Sequence, residues 1–484
     1  LIAQSGARRR AVSLLGVVAL AVVVGLLTAV QSKVAAAVVA VIALSAVLLP
    51  PDRPSRPPDL RGKRFRWLAF AWAYVLIRPI GHFTAGRTQL TAVAGVPSWE
   101  NVVDLGTHAA IGALALWSLR SNHFRLRPPW LILVLPALAL ASAAWSLAPR
   151  VTLGFSFELV VICLLAMLTV AINRVDPDLA RSIMGRTLRI VVALVAILCL
   201  VGLLFPPSSA TTPGDARFHW PGEHPLVAAA ENGFALLVIV FAGRDETGFS
   251  RPSRIALAVL FGACLYFGQG RTALAGLAAA ALFGFWFLSK GGGWIRRLAG
   301  AAAIGVVTLL VVSSFGGAIT QYLYRGETQQ TVFGLNGRLG VWTFALHQLH
   351  TPAQWLFGYG LSATRVLLAS NIAWAGDAHG AWIELLLSLG LVGVTVGLTV
   401  VTIVAARLLR AAPQAPLASR VLPILFAYVL AMSPMATGFA APGPEPALGF
   451  AVLALCYAMT ATWRRAPSPV RASRLVRDLR PLPA

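Results

Sequence analysis

"VTLGFSFELVVICLLAMLTVAI", Val151 to Ile172, holds a single charged residue, Glu158, in an otherwise apolar run. As a helix rising 1.5 Å per residue it covers about 33 Å, the depth of a bilayer's hydrocarbon. Runs of this kind recur on both sides of it, from Ala11 almost to Trp463. Hydrophobic residues make up 58% of the chain and charged residues 12%, where a soluble domain carries roughly 25% charged. Mean hydropathy is +0.76. In lipid the backbone must satisfy its own hydrogen bonds, so such runs are helices. The alternating segments of a membrane β-barrel are absent.

The sequence therefore predicts an all-α polytopic membrane protein with about twelve to fourteen transmembrane helices. The spans are Ala11–Val30, Val34–Leu49, Trp67–Ile80, Val102–Leu119, Leu131–Leu147, Val151–Ile172, Ile190–Phe205, Leu226–Ala242, Ile255–Phe267, Thr272–Leu288, Leu298–Phe315, Ala381–Ala406, Val421–Met435 and Leu448–Trp463. They form one integral membrane unit over residues 1–484. The first run follows Arg8, Arg9 and Arg10 and has no small-residue cleavage site, so it is read as a retained helix rather than a signal peptide.

Net charge is +23. In a soluble protein that would point to nucleic acid. Here the charge is divided among short loops and is read as topology. With the N-terminus in the cytoplasm, every cytoplasmic loop is basic. Of 40 lysines and arginines only Lys33, Arg78, Arg87, Arg150, Arg217, Arg271, Arg325, Arg338 and Arg365 fall outside. Both termini are then cytoplasmic, including the basic tail 464–484, and membrane lipid is the surface that loops and tail meet. The four cysteines, Cys163, Cys199, Cys264 and Cys456, sit in apolar runs as packed thiols, with no disulfide framework.

Two external loops exceed mere turns. One is 206–225. The other is 316–380, a length that points to function. The second carries two amphipathic stretches, "NGRLGVWTFALHQLH" with Asn336 as N-cap and Val341, Ala345 and Leu349 on one face, and "LSATRVLLASNIAW". Both are expected to lie on the membrane surface.

Chemistry concentrates in these loops. "GQGRTALAG", Gly268 to Gly276, sets Arg271 at a helix start with no acidic residue nearby in sequence. Arg217 follows "PGDA" and Arg338 follows "NG". Glycine permits close backbone approach, a helix N-terminus offers free N–H groups, and guanidinium grips phosphate oxygens bidentately. Together they read as an anion site, and a lipid-borne phosphate is the ligand that such a surface meets. In "WAGDAHGAWIELLLSLGLVGV", His379 stands before a long helix with Asp377 two residues earlier and Glu384 a turn inside. A histidine there can take a proton from a hydroxyl near neutral pH. "RFHWPGEHP" adds His219, Glu223 and His224, whose spacing fits no metal motif. Trp220 and Trp374 are candidates for stacking on sugar rings. Asp104 and His108, four apart, can satisfy each other; with Glu158 and Glu231 they are the acids of a possible transport path. Nucleotide and nicotinamide fingerprints are absent, so no cofactor is expected.

These segments resemble the O-antigen ligase and O-antigen polymerase superfamily. "GQGRTALAG" is similar to its "S-R-T/G-A-x-x-G" signature. "NGRLGVWTFALHQLHTPAQWLFGYGLSA" is similar to its "GR…W…(P)…G-x-G" segment, and "AHGAWIELLLSLGLVGV" to its "H-N-x-(Y/W)-L-x-x-L-x-x-x-G-L-x-G" helix. "RFHWPGEHP" is a weaker match to an earlier external segment. The likeness covers roughly 215–394; Gly380 stands where Asn is usual, and Gln269 and Gly270 replace the common Ser.

The resemblance implies a GT-C-like glycosyltransferase of the bacterial cytoplasmic membrane, working without metal. Its donor would be a polyprenyl-diphosphate-linked glycan and its acceptor a hydroxyl of a glycan, lipid or protein. Arg217 and Arg338 would bind the diphosphate, with Arg271, His224 and Arg365 in the same substrate-binding set. His379 would be the catalytic base, with Asp377 beside it. A flippase for lipid-linked glycans and a non-catalytic envelope-assembly scaffold are the other classes that the residues allow.

Overall fold

In the computed structural model the residues described are 65–78, 99–121, 130–205, 217–220, 224–288, 335, 337–372, 378–411, 420–436 and 444–460. The expected spans Ala11–Val30, Val34–Leu49 and Leu298–Phe315 lie outside them, as do Asn336, Trp374, Asp377 and Glu223. The described residues are helical and include no strand. In order they form α1 (Arg66–Ile77), α2 (Trp99–Ser121), α3 (Trp130–Ala141), α4 (Pro149–Val175), α5 (Pro177–Leu204), α6 (Pro225–Phe241), α7 (Arg244–Thr247), α8 (Arg251–Gly268) and α9 (Arg271–Leu288). Then follow α10 (Arg338–His347), α11 (Pro352–Phe357), α12 (Thr364–Asn371), α13 (Ala381–Ala411), α14 (Val421–Met432) and α15 (Pro444–Thr460). Helices α4, α5 and most of α13 are long and apolar enough to cross a membrane, and α1, α3, α6, α9, α14 and α15 include shorter apolar segments.

Local chemistry sets several boundaries. Asp176 closes α4 and opens α5: its carboxylate accepts the Leu179 N–H at 2.9 Å, and Pro177 occupies the first turn. Helix α5 therefore starts thirteen residues before the expected Ile190, adding turns that carry Arg181, Arg186 and Arg189. Between α8 and α9 the chain turns at Gln269, φ +46°, and Gly270 lies so close to Ala229 of α6 that a Cβ would overlap it. Helices α6, α9 and α14 also meet at small residues. A Cβ on Gly276 would press on Met432 at 2.6 Å, and the Tyr428 hydroxyl fills the space at Gly233 and donates to the Ala230 carbonyl at 2.8 Å.

A second cluster locks α1, α2 and α4. Arg78, at the end of α1 with φ +49°, binds the Asp104 carboxylate and donates to Glu158 at 2.8 Å. The Tyr74 hydroxyl donates to Asp104 at 2.6 Å. His108 does contact Asp104, with Nδ1 2.9 Å from its carbonyl and 3.5 Å from its carboxylate, but the charge on Asp104 is balanced by Arg78.

Helices α10, α11, α12 and the start of α13 form a canopy at one end of the bundle. Val341, Ala345 and Leu349, the face anticipated for the membrane surface, are buried with Leu368, Ala378 and Leu387 in a core of their own. The expected cap Asn336 is not at the N-cap position of α10, which Gly337 takes at φ +81°. The expected span Ala381–Ala406 is a helix broken at Gly390, φ +67° and ψ −166°. A continuous helix would occupy the carbonyls of Leu387 and Ser388; here they accept from Tyr359 N–H at 2.8 Å and Gly360 N–H at 2.9 Å. The loop thus supplies the donors that the break removes. Thr152 and Ser142 hold the same loop from the other side, through Leu361, at 2.8 and 3.1 Å. Tyr359 donates its hydroxyl to the Gln348 carbonyl, and burial raises its pKa, which keeps the donor proton in place.

Candidate functional site

Five of the expected site residues, Arg217, His224, Arg271, Arg338 and His379, come from segments that meet around the start of α9 and the end of α14. The residue after Arg217, Phe218, donates its N–H to the Phe267 carbonyl at 2.9 Å. Arg217 is thereby brought beside the turn that leads into Arg271. Arg271 opens α9, and the next two residues, Thr272 and Ala273, line a cleft with Leu226 and Ala230 of α6, Met432 and Met435 at the end of α14, and Arg338. His224 is the N-cap of α6 at the edge of this region: its Nδ1 accepts the Leu226 N–H at 3.2 Å. That bond assigns the lone pair to Nδ1.

His379 reaches the same place through three tethers on its neighbours. Trp342, one turn after Arg338 on α10, donates its indole N–H to the Ala378 carbonyl at 2.7 Å. The Ala378 N–H donates to Glu384 at 3.1 Å, and the Ala381 N–H donates to the Ser433 carbonyl at 2.9 Å. His379 itself is half-buried and has φ +48°. A side chain in the left-handed region costs about 1–2 kcal/mol, so the tethers hold a strained conformer, a pattern that concentrates at functional sites. Gln269, two residues before Arg271, and Leu335, three before Arg338, also have positive φ.

The structure explains the glycine after His379. A Cβ on Gly380 would stand 2.9 Å from the Pro434 carbonyl and 3.3 Å from the Trp342 ring. The larger residue usual at that position in the resembled motif has no room here.

Other expected roles change. Arg365 does not line the cleft. Its guanidinium sits 5.0 Å from the Phe155 ring centroid on α4, and its charge acts on Glu158. It belongs to the neighbourhood of Arg78, Asp104 and Glu158. Trp220 is buried and therefore not a surface platform for a sugar. Glu231, on α9's neighbour α6, lies near Cys199 and not with the other two acids, so Asp104, Glu158 and Glu231 do not form one path. Asp104, His108 and Glu158 bring ligand atoms within 4.8 Å of one another, but Arg78 is bonded to both carboxylates and already supplies the cation.

Sequence reasoning missed Trp342, Ser433 and the Arg78 cluster. The i, i+4 spacing of Arg338 and Trp342 was a usable signal for the first. Nothing in the sequence announces Ser433, which lies 54 positions after His379.

No protein-family model matches this chain, and a search of curated proteins finds no match.

Proposed function

We propose that the chain is a membrane glycosyltransferase of the O-antigen ligase or polymerase kind, acting on the outer face of a bacterial cytoplasmic membrane. Its donor is a polyprenyl-diphosphate-linked glycan. The acceptor hydroxyl oxygen attacks the anomeric carbon, the bond from that carbon to the phosphate oxygen breaks, and the configuration inverts. The diphosphate leaves with its electron pair. Arg217, Arg271 and Arg338 neutralise the charge that develops there, and His379 takes the acceptor proton. The orientation rests on the distribution of lysine and arginine, with both termini in the cytoplasm.

The observation that carries this reading is the meeting of Arg338, the start of α9 and the loop of His379 at the end of α14. An arginine, Arg338, lining a cleft at the start of α9, beside a tethered, strained histidine, supports diphosphate departure with hydroxyl deprotonation. A flippase would use the intramembrane acids as its path, and two of those are ion-paired to Arg78.

The test compares lipid extracts of cells carrying wild-type protein and His379→Ala at equal membrane levels, by mass spectrometry of polyprenyl-diphosphate glycans and surface polymer. Accumulated lipid-linked glycan with lost polymer is the expected result. Wild-type profiles would remove His379 from the chemistry. Arg271→Glu is expected to abolish transfer while the protein stays in the membrane.

A further inference from the structure

Glu384 is fully buried in the canopy, and its carboxylate joins three separate pieces of chain. Oε1 accepts the Thr364 hydroxyl at the start of α12 and the Ser388 hydroxyl one turn along α13, the latter at 3.1 Å. Oε2 accepts the Ala378 N–H, the residue immediately before His379, at 3.1 Å. Its place in the first turn of α13 also favours negative charge. A packed apolar core such as Val341, Ala345, Leu368 and Leu387 gains nothing from a carboxylate at its edge unless the carboxylate's bonds fix something.

We infer that Glu384 is a positioning residue for His379: by holding the Ala378 N–H from one side, while Trp342 holds the Ala378 carbonyl from the other, it keeps His379 in its left-handed conformer. The two bonds hold the peptide groups on either side of Ala378, the second of which leads into His379, where the positive φ falls. The inference rests on the proposed role of His379 only for its consequence in transfer; the clamp itself is read independently. Leucine at 384 offers no acceptor to the Ala378 N–H, so that half of the clamp is lost, whereas a glutamine can turn its carbonyl oxygen to the N–H and its NH2 to the two hydroxyls and keep it.

The test uses the full chain in nanodiscs and labels histidines with diethyl pyrocarbonate, reading each modified peptide by mass spectrometry. In E384L the labelling rate of His379 is expected to rise at least about fivefold, as an opened loop exposes the ring more often. His347 and His350 are already exposed and cannot report opening of the canopy, so that is read by proteolytic cleavage of the canopy in the same nanodiscs, expected to stay within about twofold of wild type. An unchanged His379 rate would overturn the inference. So would a matching rise in canopy cleavage, since that is what loss of canopy packing alone would produce. If E384L does not accumulate, E384D draws the carboxylate back by one methylene and is read the same way. Glycan transfer is followed in parallel: selective labelling with unchanged transfer would keep the clamp and discard His379 as the base, whereas selective labelling with lost transfer supports both.

Discussion

Gly390→Ala is the sharpest single perturbation of the canopy. The backbone there has φ +67° and ψ −166°, a region that is essentially glycine's alone, and holding an alanine in it costs about 1–3 kcal/mol. A Cβ would also land on the Leu356 carbonyl, so α11 must retreat from α13. Retreat strains the two bonds from Tyr359 and Gly360 to Leu387 and Ser388, each worth about 1 kcal/mol net. If both bonds are lost the sum is about 3–5 kcal/mol in favour of local opening, and a factor of ten for every 1.4 kcal/mol makes that at least about a hundredfold in the open population. Native-state proteolysis of the protein in nanodiscs reads this directly, because cleavage in the canopy tracks the open population when closing is fast. Gly106→Ala is the control: nothing lies within 4 Å of its Cβ position, and it sits inside α2, where alanine is favoured by about 0.5–1 kcal/mol. The same chemical change is thus expected to act in opposite directions at the two sites. A canopy cleavage rate for Gly390→Ala within about threefold of wild type would refute the account of the break.

Arg78→Met leaves Asp104 and Glu158 buried and facing each other, and is expected to destabilise the α1, α2 and α4 interface by about 3–5 kcal/mol; the triple variant R78M/D104N/E158Q is expected to recover most of that in an SDS-unfolding titration. Tyr428→Phe strips the Ala230 carbonyl of its 2.8 Å donor between α14 and α6 and is expected to cost about 1 kcal/mol in the same titration. Gly276→Leu overfills the contact with Met432 and Tyr428, with an expected loss of about 1–3 kcal/mol and reduced transfer, since the same end of α14 borders the cleft. Trp342→Phe removes the other half of the clamp on Ala378 and is expected to lower transfer with little change in membrane level, measured on lipid extracts.

Apolar runs announce themselves, so most helices lie within a few residues of where the sequence puts them; α6 was expected at Leu226–Ala242 and is found at Pro225–Phe241. The start of α5 was missed because its first turns carry arginines that resemble a loop, although Asp176 and Pro177 form a legible start signal. The canopy's inward packing was missed for a different reason. An amphipathic face reports that something apolar covers it, and does not say whether lipid or protein does. The break in α13 falls at one of several glycines in its run, and only the loop that replaces the lost donors distinguishes Gly390. Arginine partnership was the least legible property: Arg78 finds Asp104 26 positions away and Glu158 80 positions away, and Arg365 goes to α4 although its loop setting matched that of Arg338.

The clamp on His379 is finished by Ser433, at the end of α14, while the cationic side is supplied by residues from 217 to 338. Chains emerge from the ribosome N-terminus first. A nascent chain that has completed α1 to α13 therefore holds every proposed charged group of the described cleft and still lacks the seat that fixes its histidine. Under the proposed function, competence arrives in one step, with the synthesis of the segment around Met432 to Ala436, and a product cut short before that point is expected to be chemically silent.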